Sequence, residues 1–150
     1  MKIPQNVINY LEKQGFVIIS TLDDRGAIHS VAKGLVAIDP EGIVHIVDLF
    51  KGNTFKNLMN NPTISLTSVD EHAYVGYTLK GQGRITEKEK ISKELLGVWE
   101  EKVLQRITKR MIRNIQQEKK SSHHHEAHFQ KPEYLITMTV EEIVDLNPTH

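Results

Sequence analysis

The chain has 150 residues, no cysteine, and nineteen basic side chains balanced by nineteen acidic ones. That length suits one domain able to bury roughly 70% of its unfolded surface, and the lack of cysteine excludes a disulfide scaffold, a zinc-thiolate or iron–sulfur site and a thiol nucleophile. Zero net charge provides no global field for nucleic acid or an acidic membrane, no apolar run nears the roughly 18 residues of a membrane span, and MKIPQNVINYLEK lacks a signal-peptide core, so a soluble cytoplasmic domain is expected.

A short helix opens the chain. Pro4 suits a first helical turn, Val7, Ile8 and Leu11 share one face, and Gly15 gives the stop. FVIISTL (16–22), AIHSVAKGLVAI (27–38) and IVHIVDL (43–49) are apolar, β-branched runs joined by the turn sequences DDRG and DPEG, which predicts two successive antiparallel hairpins. TFKNLMNN (54–61) predicts two helical turns closed before Pro62, and TISLTSV (63–69) and YVGYTLKGQGRI (74–85) resume strand. Gly76, Gly81 and Gly83 in that last run mark bends or close approach of another backbone. The order β-β-β-short helix-β-β argues for a closed or nearly closed antiparallel barrel.

From Glu87 to Lys120 the apolar spacing becomes helical, with Ile91, Leu95, Val98, Trp99, Ile107, Met111 and Ile115 on one stripe and Gly97 as a candidate bend. A polar connector, KSSHHHEAHFQKP (120–132), leads to a closing strand, YLITMTV (134–140). One domain spans residues 1–150.

The stretch LFKGNTFKNLMNNP (49–62) carries the chemistry. A strand end, a lysine and a glycine lead into a short helix that Asn53 or Thr54 is expected to cap. Unpaired first-turn N–H groups, with Lys51 and Lys56 nearby, make an anion site sized for one phosphate. An ordinary capped helix with solvated lysines is the plain alternative.

Four pieces of the chain resemble, in order, the FMN-binding split-barrel family typified by pyridoxamine 5′-phosphate oxidase: GFVIISTLDDRGAIHSVAKGLVAID, IVHIVDLFKGNTFKNLMNNPTISLTSV, GYTLKGQGRI and YLITMTVEEI. Thr54, Lys56, Asn57, Leu58, Asn61 and Pro62 stand on the family's Ser/Thr-x-Lys-x-x-Asn-Leu…Asn-Pro pattern. The resemblance covers about residues 5–86 and 133–143, leaving the segment between as an enlarged helical insertion. It implies a mainly β, α+β fold: a six-stranded antiparallel split barrel with flanking helices, a homodimer, and FMN held between subunits. Carried over by position, Lys51, Thr54 and Lys56 would grip the FMN phosphate. Ser30, Val31, Ala32, Lys33 and Gly34 would lie against ribityl and isoalloxazine, with Lys33 aimed at the pyrimidine edge or at solvent. The oxidase proper has an arginine where this chain has Phe55, and an arginine–histidine motif near its C-terminus, whereas no arginine follows Arg113 here. The expectation is therefore an FMN-dependent oxidoreductase or electron carrier, reduced by a nicotinamide or a redox protein and acting on a small substrate, and not a B6 oxidase.

Two rival readings differ in class. His123, His124, His125 and His128, with Glu126, could hold a divalent metal or serve haem, as in some split-barrel relatives, or could simply form a solvated connector. A non-enzymatic, stress-related binding module is the other rival. The stretch 102–120 carries seven basic residues against Glu118, but it lacks interleaved aromatics, so a solvated face rather than nucleic-acid binding is expected. His29 and His45 are read as packing within strands, and Trp99 as packing on the apolar stripe. Ser30 and His29 are strand neighbours on opposite faces and make no triad. The pairs Asp23–Asp24 and Glu141–Glu142 are placed in a turn and in the tail, without catalysis.

Overall fold

The computed structural model describes residues 1–116 and 131–148. Helix α1 (Gln5–Glu12) precedes strands β1 (Val17–Leu22), β2 (Ile28–Asp39) and β3 (Ile43–Asp48). Helix α2 (Asn53–Asn60) separates these from β4 (Thr63–Asp70) and β5 (Val75–Glu87). A 3-10 turn (Lys88–Lys90), helix α3 (Lys93–Gln116) and strand β6 (Tyr134–Asp145) complete the order. All six strands pair antiparallel into a closed barrel, β1-β2-β3-β6-β5-β4, with β4 returning to β1. The expected α+β fold with a six-stranded barrel is the fold observed.

Side-chain alternation explains the closure. Val17, Ile19 and Thr21 of β1, Val44 and Ile46 of β3, Ile64 and Leu66 of β4, and Ile136 and Met138 of β6 are buried at every second position, the period that sends one face of each strand inward. Val7, Ile8 and Leu11 of α1 join this core with Ile3 and Leu58 of α2. Close approach explains one glycine. A Cβ on Gly81 would collide with the Thr139 carbonyl oxygen, and the β5–β6 register shifts there between Lys80 and Gly81, so the bend needs a residue without a side chain.

A second, smaller cluster fastens α3 to the barrel's exterior. Leu95, Leu96, Val98 and Trp99 pack on Val47, Ile91 and Leu135, which bears out the packing role read for Trp99. Farther along α3, Leu104, Met111, Ile112 and Ile115 are exposed.

Several boundaries differ from the sequence reading. Strand β5 runs on through Glu87, so the helical insertion opens with the 3-10 turn and α3 begins only at Lys93. The first six residues of that stretch, 87–92, thus lie outside the long helix, because cross-strand bonding continues to Glu87 opposite Tyr134 of β6. Glu141 and Glu142 lie within β6 and not in a tail. Gly52, not Asn53 or Thr54, occupies the α2 cap position, and among the described residues no side chain caps that helix. The histidines at 123, 124, 125 and 128, Glu126, and the basic end of the insertion at 118–120 lie outside the described residues.

Candidate functional site

Strand β2 carries the five residues that the resemblance assigns to the cofactor, and its pleat sorts them onto two faces. The β1 partners of His29, Val31 and Lys33 are Thr21, Ile19 and Val17, all buried, so these three point into the barrel. Ser30, Ala32 and Gly34 therefore point out. Ser30 Oγ lies 2.8 Å from Ser20 Oγ of the neighbouring strand, and Ala32 is exposed. Ser30, Ala32 and Gly34 thus make a narrow outer strip with little side-chain bulk, suited to a planar ring.

Lys33 lies on the other face. Its Nζ is 2.6 Å from Asp48 Oδ2 at the end of β3, and Asp48 is only 3% exposed. The Tyr134 hydroxyl donates to the same oxygen at 2.6 Å, and the Phe50 N–H donates to Oδ1 at 3.2 Å. Burial, then the hydrogen bond to Asp48, pushes the Tyr134 hydroxyl well above its ordinary range, so it stays a protonated donor. The Tyr134 ring meets the Phe55 ring edge-on, with centroids 5.1 Å apart. This knot joins β2, β3, β6 and α2 at one end of the barrel. Sequence reading noted Lys33 but missed Asp48 and Tyr134. The available signal was period two: Asp48 follows Val44 and Ile46 on the inward face.

The loop from β3 into α2 forms the second part. Thr54, in the first turn of α2, is 2% exposed, and Lys56 is exposed. With Gly52 at the cap, no side chain among the described residues caps the first-turn N–H groups, and none of them fills the space that a Cβ of Gly52 would enter. Lys51 is engaged: its Nζ lies 2.8 Å from Glu87 Oε2 and 5.0 Å from the centroid of the Phe55 ring. The Glu87 hydrogen bond raises the Lys51 pKa, with burial opposing. Asn57, on the family pattern, donates from Nδ2 to Thr21 Oγ1 at 3.0 Å in a buried contact, which fixes α2 against β1.

Helix α2 packs on β1, β2 and β5, so the helix end and the bare β2 strip belong to neighbouring elements. Two observations fit a phosphate-bearing flavin. The uncapped first turn of α2 beside a buried threonine offers donors to an anion, and Ser30 and Ala32 leave the strip with little side-chain bulk where a ring would approach the backbone, up to Gly34, against which Arg106 lies. Among the described residues no cluster of three or more metal-ligating side chains occurs.

The family model described as Pyridoxamine 5′-phosphate oxidase matches residues 3–143. No curated protein matches. Among solved structures, HupZ of Group A Streptococcus is 18% identical with a TM-score of 0.70, over 97% of this chain and 95% of that one. An F420 reductase is 12% identical with a TM-score of 0.60, over 95% and 98%. HutZ of Vibrio cholerae, described as a heme storage protein, is 14% identical with a TM-score of 0.54, over 96% and 94%. At these identities the likeness is one of fold.

Proposed function

Because the chain belongs to the pyridoxamine 5′-phosphate oxidase family, we propose that it binds FMN and acts as an oxidoreductase or as a flavin-dependent electron or hydride carrier. The observation that carries this reading is the adjacency of two features. Helix α2, whose start lacks a side-chain cap among the described residues and buries Thr54 in its first turn, contacts strand β2, whose outward face carries little side-chain bulk at Ser30 and Ala32.

In this reading the Thr54 hydroxyl and the first-turn N–H groups of α2 donate to the phosphate, and Lys56 adds an exposed cation. Lys51 contributes a second cation once its contact with Glu87 is shared. Ser30, Ala32 and Gly34 present the surface for the ring. Val31 and Lys33, pointing inward, act from behind the strand: Lys33 fixes its end through Asp48. When bound, the flavin supplies hydride or electron transfer, while the chain supplies binding, orientation and electrostatics. The site is completed at the seam of a homodimer, and its reductant is a nicotinamide or a redox protein. Phe55, in the place of the oxidase's arginine, and the lack of an arginine after Arg113 favour a small substrate other than a B6 vitamer.

Flavin titration of the full chain tests the phosphate assignment. Thr54→Ala with Lys56→Ala should weaken FMN affinity at least tenfold, about 1.4 kcal/mol, while leaving riboflavin, which lacks the phosphate, nearly unaffected. Equal FMN affinity in the parent and double variant would remove the assignment. Haem handling is the second reading, suggested by the fold shared with HutZ. A visible spectrum separates the two, with a flavin band near about 450 nm against a Soret band.

A further inference from the structure

The β2 face carries a charge imbalance that FMN binding at α2 leaves unexplained. Lys33 is paired with Asp48 and Lys51 with Glu87. Lys102 and Arg106 of α3 are different: among the described residues neither has a carboxylate within ion-pair distance. The Lys102 ammonium is partly buried and donates one long hydrogen bond, 3.4 Å, to the Leu35 carbonyl. Burial lowers the Lys102 pKa, Glu12 opposes the shift, and the Arg106 charge adds to it. The Arg106 guanidinium lies against the bare backbone of Gly34, where a Cβ would come 3.4 Å from its Nη2.

These two cations stand one helical turn apart, where like charges repel. They are held against β2 by the apolar anchor of Leu95, Val98 and Trp99. A partly desolvated ammonium with one weak carbonyl contact is under-compensated, and a guanidinium fork matches a carboxylate or phosphate bidentately. Such a group would satisfy both side chains at once.

We propose that Lys102 and Arg106 of α3, set over Gly34 and Leu35 of β2, form an anion-recognition site for the carboxylate or phosphate group of the substrate. Calling that molecule a substrate rests on the flavin reading above, whereas the anion site rests on the two cations and their placement. Residues of the helical insertion, read from sequence as a solvated basic face, thereby select what reaches the strip.

The chain's one tryptophan, Trp99, lies on α3 three residues before Lys102 and reports on the site. Its fluorescence is followed in the full chain during titration with inorganic pyrophosphate and, separately, with succinate. A saturable change with at least one probe is expected, weakened about tenfold in Lys102→Gln with Arg106→Gln. The change should persist in Lys102→Arg with Arg106→Lys, and also in Thr54→Ala with Lys56→Ala. The exposed single variant Arg106→Glu, which keeps the helix surface polar, should lose most of the response as well. The tighter probe identifies the group as phosphate or carboxylate. Failure of the parent chain to respond to either probe, or an undiminished response in the glutamine pair, overturns the site. A response abolished by the Thr54 and Lys56 changes alone also overturns it, since the probes would then be reading the α2 loop. Flavin uptake is read by absorbance in the same samples. Its absence throughout would sink the FMN reading while the probe titrations still decide the anion site.

Discussion

Asp48 is the side chain on which the buried polar chemistry converges. It receives the Lys33 ammonium, the Tyr134 hydroxyl and the Phe50 N–H, and its neighbours on the inward face of β3 are aliphatic. Breaking a buried pair is costly because the surviving charge has no partner. Asp48→Asn should therefore destabilise the fold by about 3 kcal/mol, measured by urea unfolding. Lys33→Met should cost distinctly less, since Asp48 keeps two donors and the methionine stem replaces the lysine's packing. Equal losses in the two variants would contradict this ordering. His45 gives a pH prediction. Burial lowers its pKa, Asp39 partly opposes that shift, and its Nδ1 is buried without a hydrogen-bond partner among the described residues. The native state thus refuses a proton that the unfolded chain accepts below the ordinary value near 6.5. Stability from neutral His45 is complete above that value and declines as pH falls from it toward the depressed native pKa. In His45→Gln the melting temperature should fall less steeply between about pH 7 and pH 5.

At the scale of elements, strands and helices were legible because their periods differ. All six strands follow the two-residue alternation of FVIISTL, IVHIVDL and their counterparts, and α2 lies within one residue of its expected span. The α2 start was misread because Asn53 and Thr54 are good capping residues in general, yet the chain places Gly52 there and buries Thr54 instead. The Lys33 partner was illegible because a salt bridge depends on which β3 residue lies across the barrel end, and register is a tertiary property. The same holds for Lys102 and Arg106: a basic helix stripe does not reveal which of its members touches a strand. Helix α3 is joined to the barrel mainly through its first half. Trp99→Ala removes the largest member of that anchor, so hydrogen exchange across Lys93–Gln116 should accelerate while amides of β3 and β6 keep their protection. Uniform acceleration of both would show that the helix and barrel open as one unit.

At the scale of the whole molecule, three of the exposed apolar side chains share one stretch of the outer wall. Phe16, Ile18 and Val69 are exposed around a cavity of about 300 Å³, which Gln14 and Ser68 also line. If the homodimer uses this wall, sedimentation should give about 34 kDa, twice the 17.2 kDa chain. Ile18→Asp with Val69→Asp should then shift the species toward the monomer mass and weaken flavin uptake in parallel. A monomer that retains full flavin affinity would place the seam elsewhere. Among the described residues no helix is long and apolar enough to cross a membrane.

Every strand of this barrel has a hydrogen-bonded neighbour on both sides over part of its length, so backbone donors and acceptors able to template another chain are confined to short stretches, such as β2 before Gly34 on the side away from β1. Self-association by strand addition, the route to domain-crossing sheets and fibrils, is thereby restricted to those stretches. Over the rest of the barrel wall a partner meets side chains, which makes such contacts open to change by a handful of surface substitutions without disturbing the barrel's hydrogen-bond lattice.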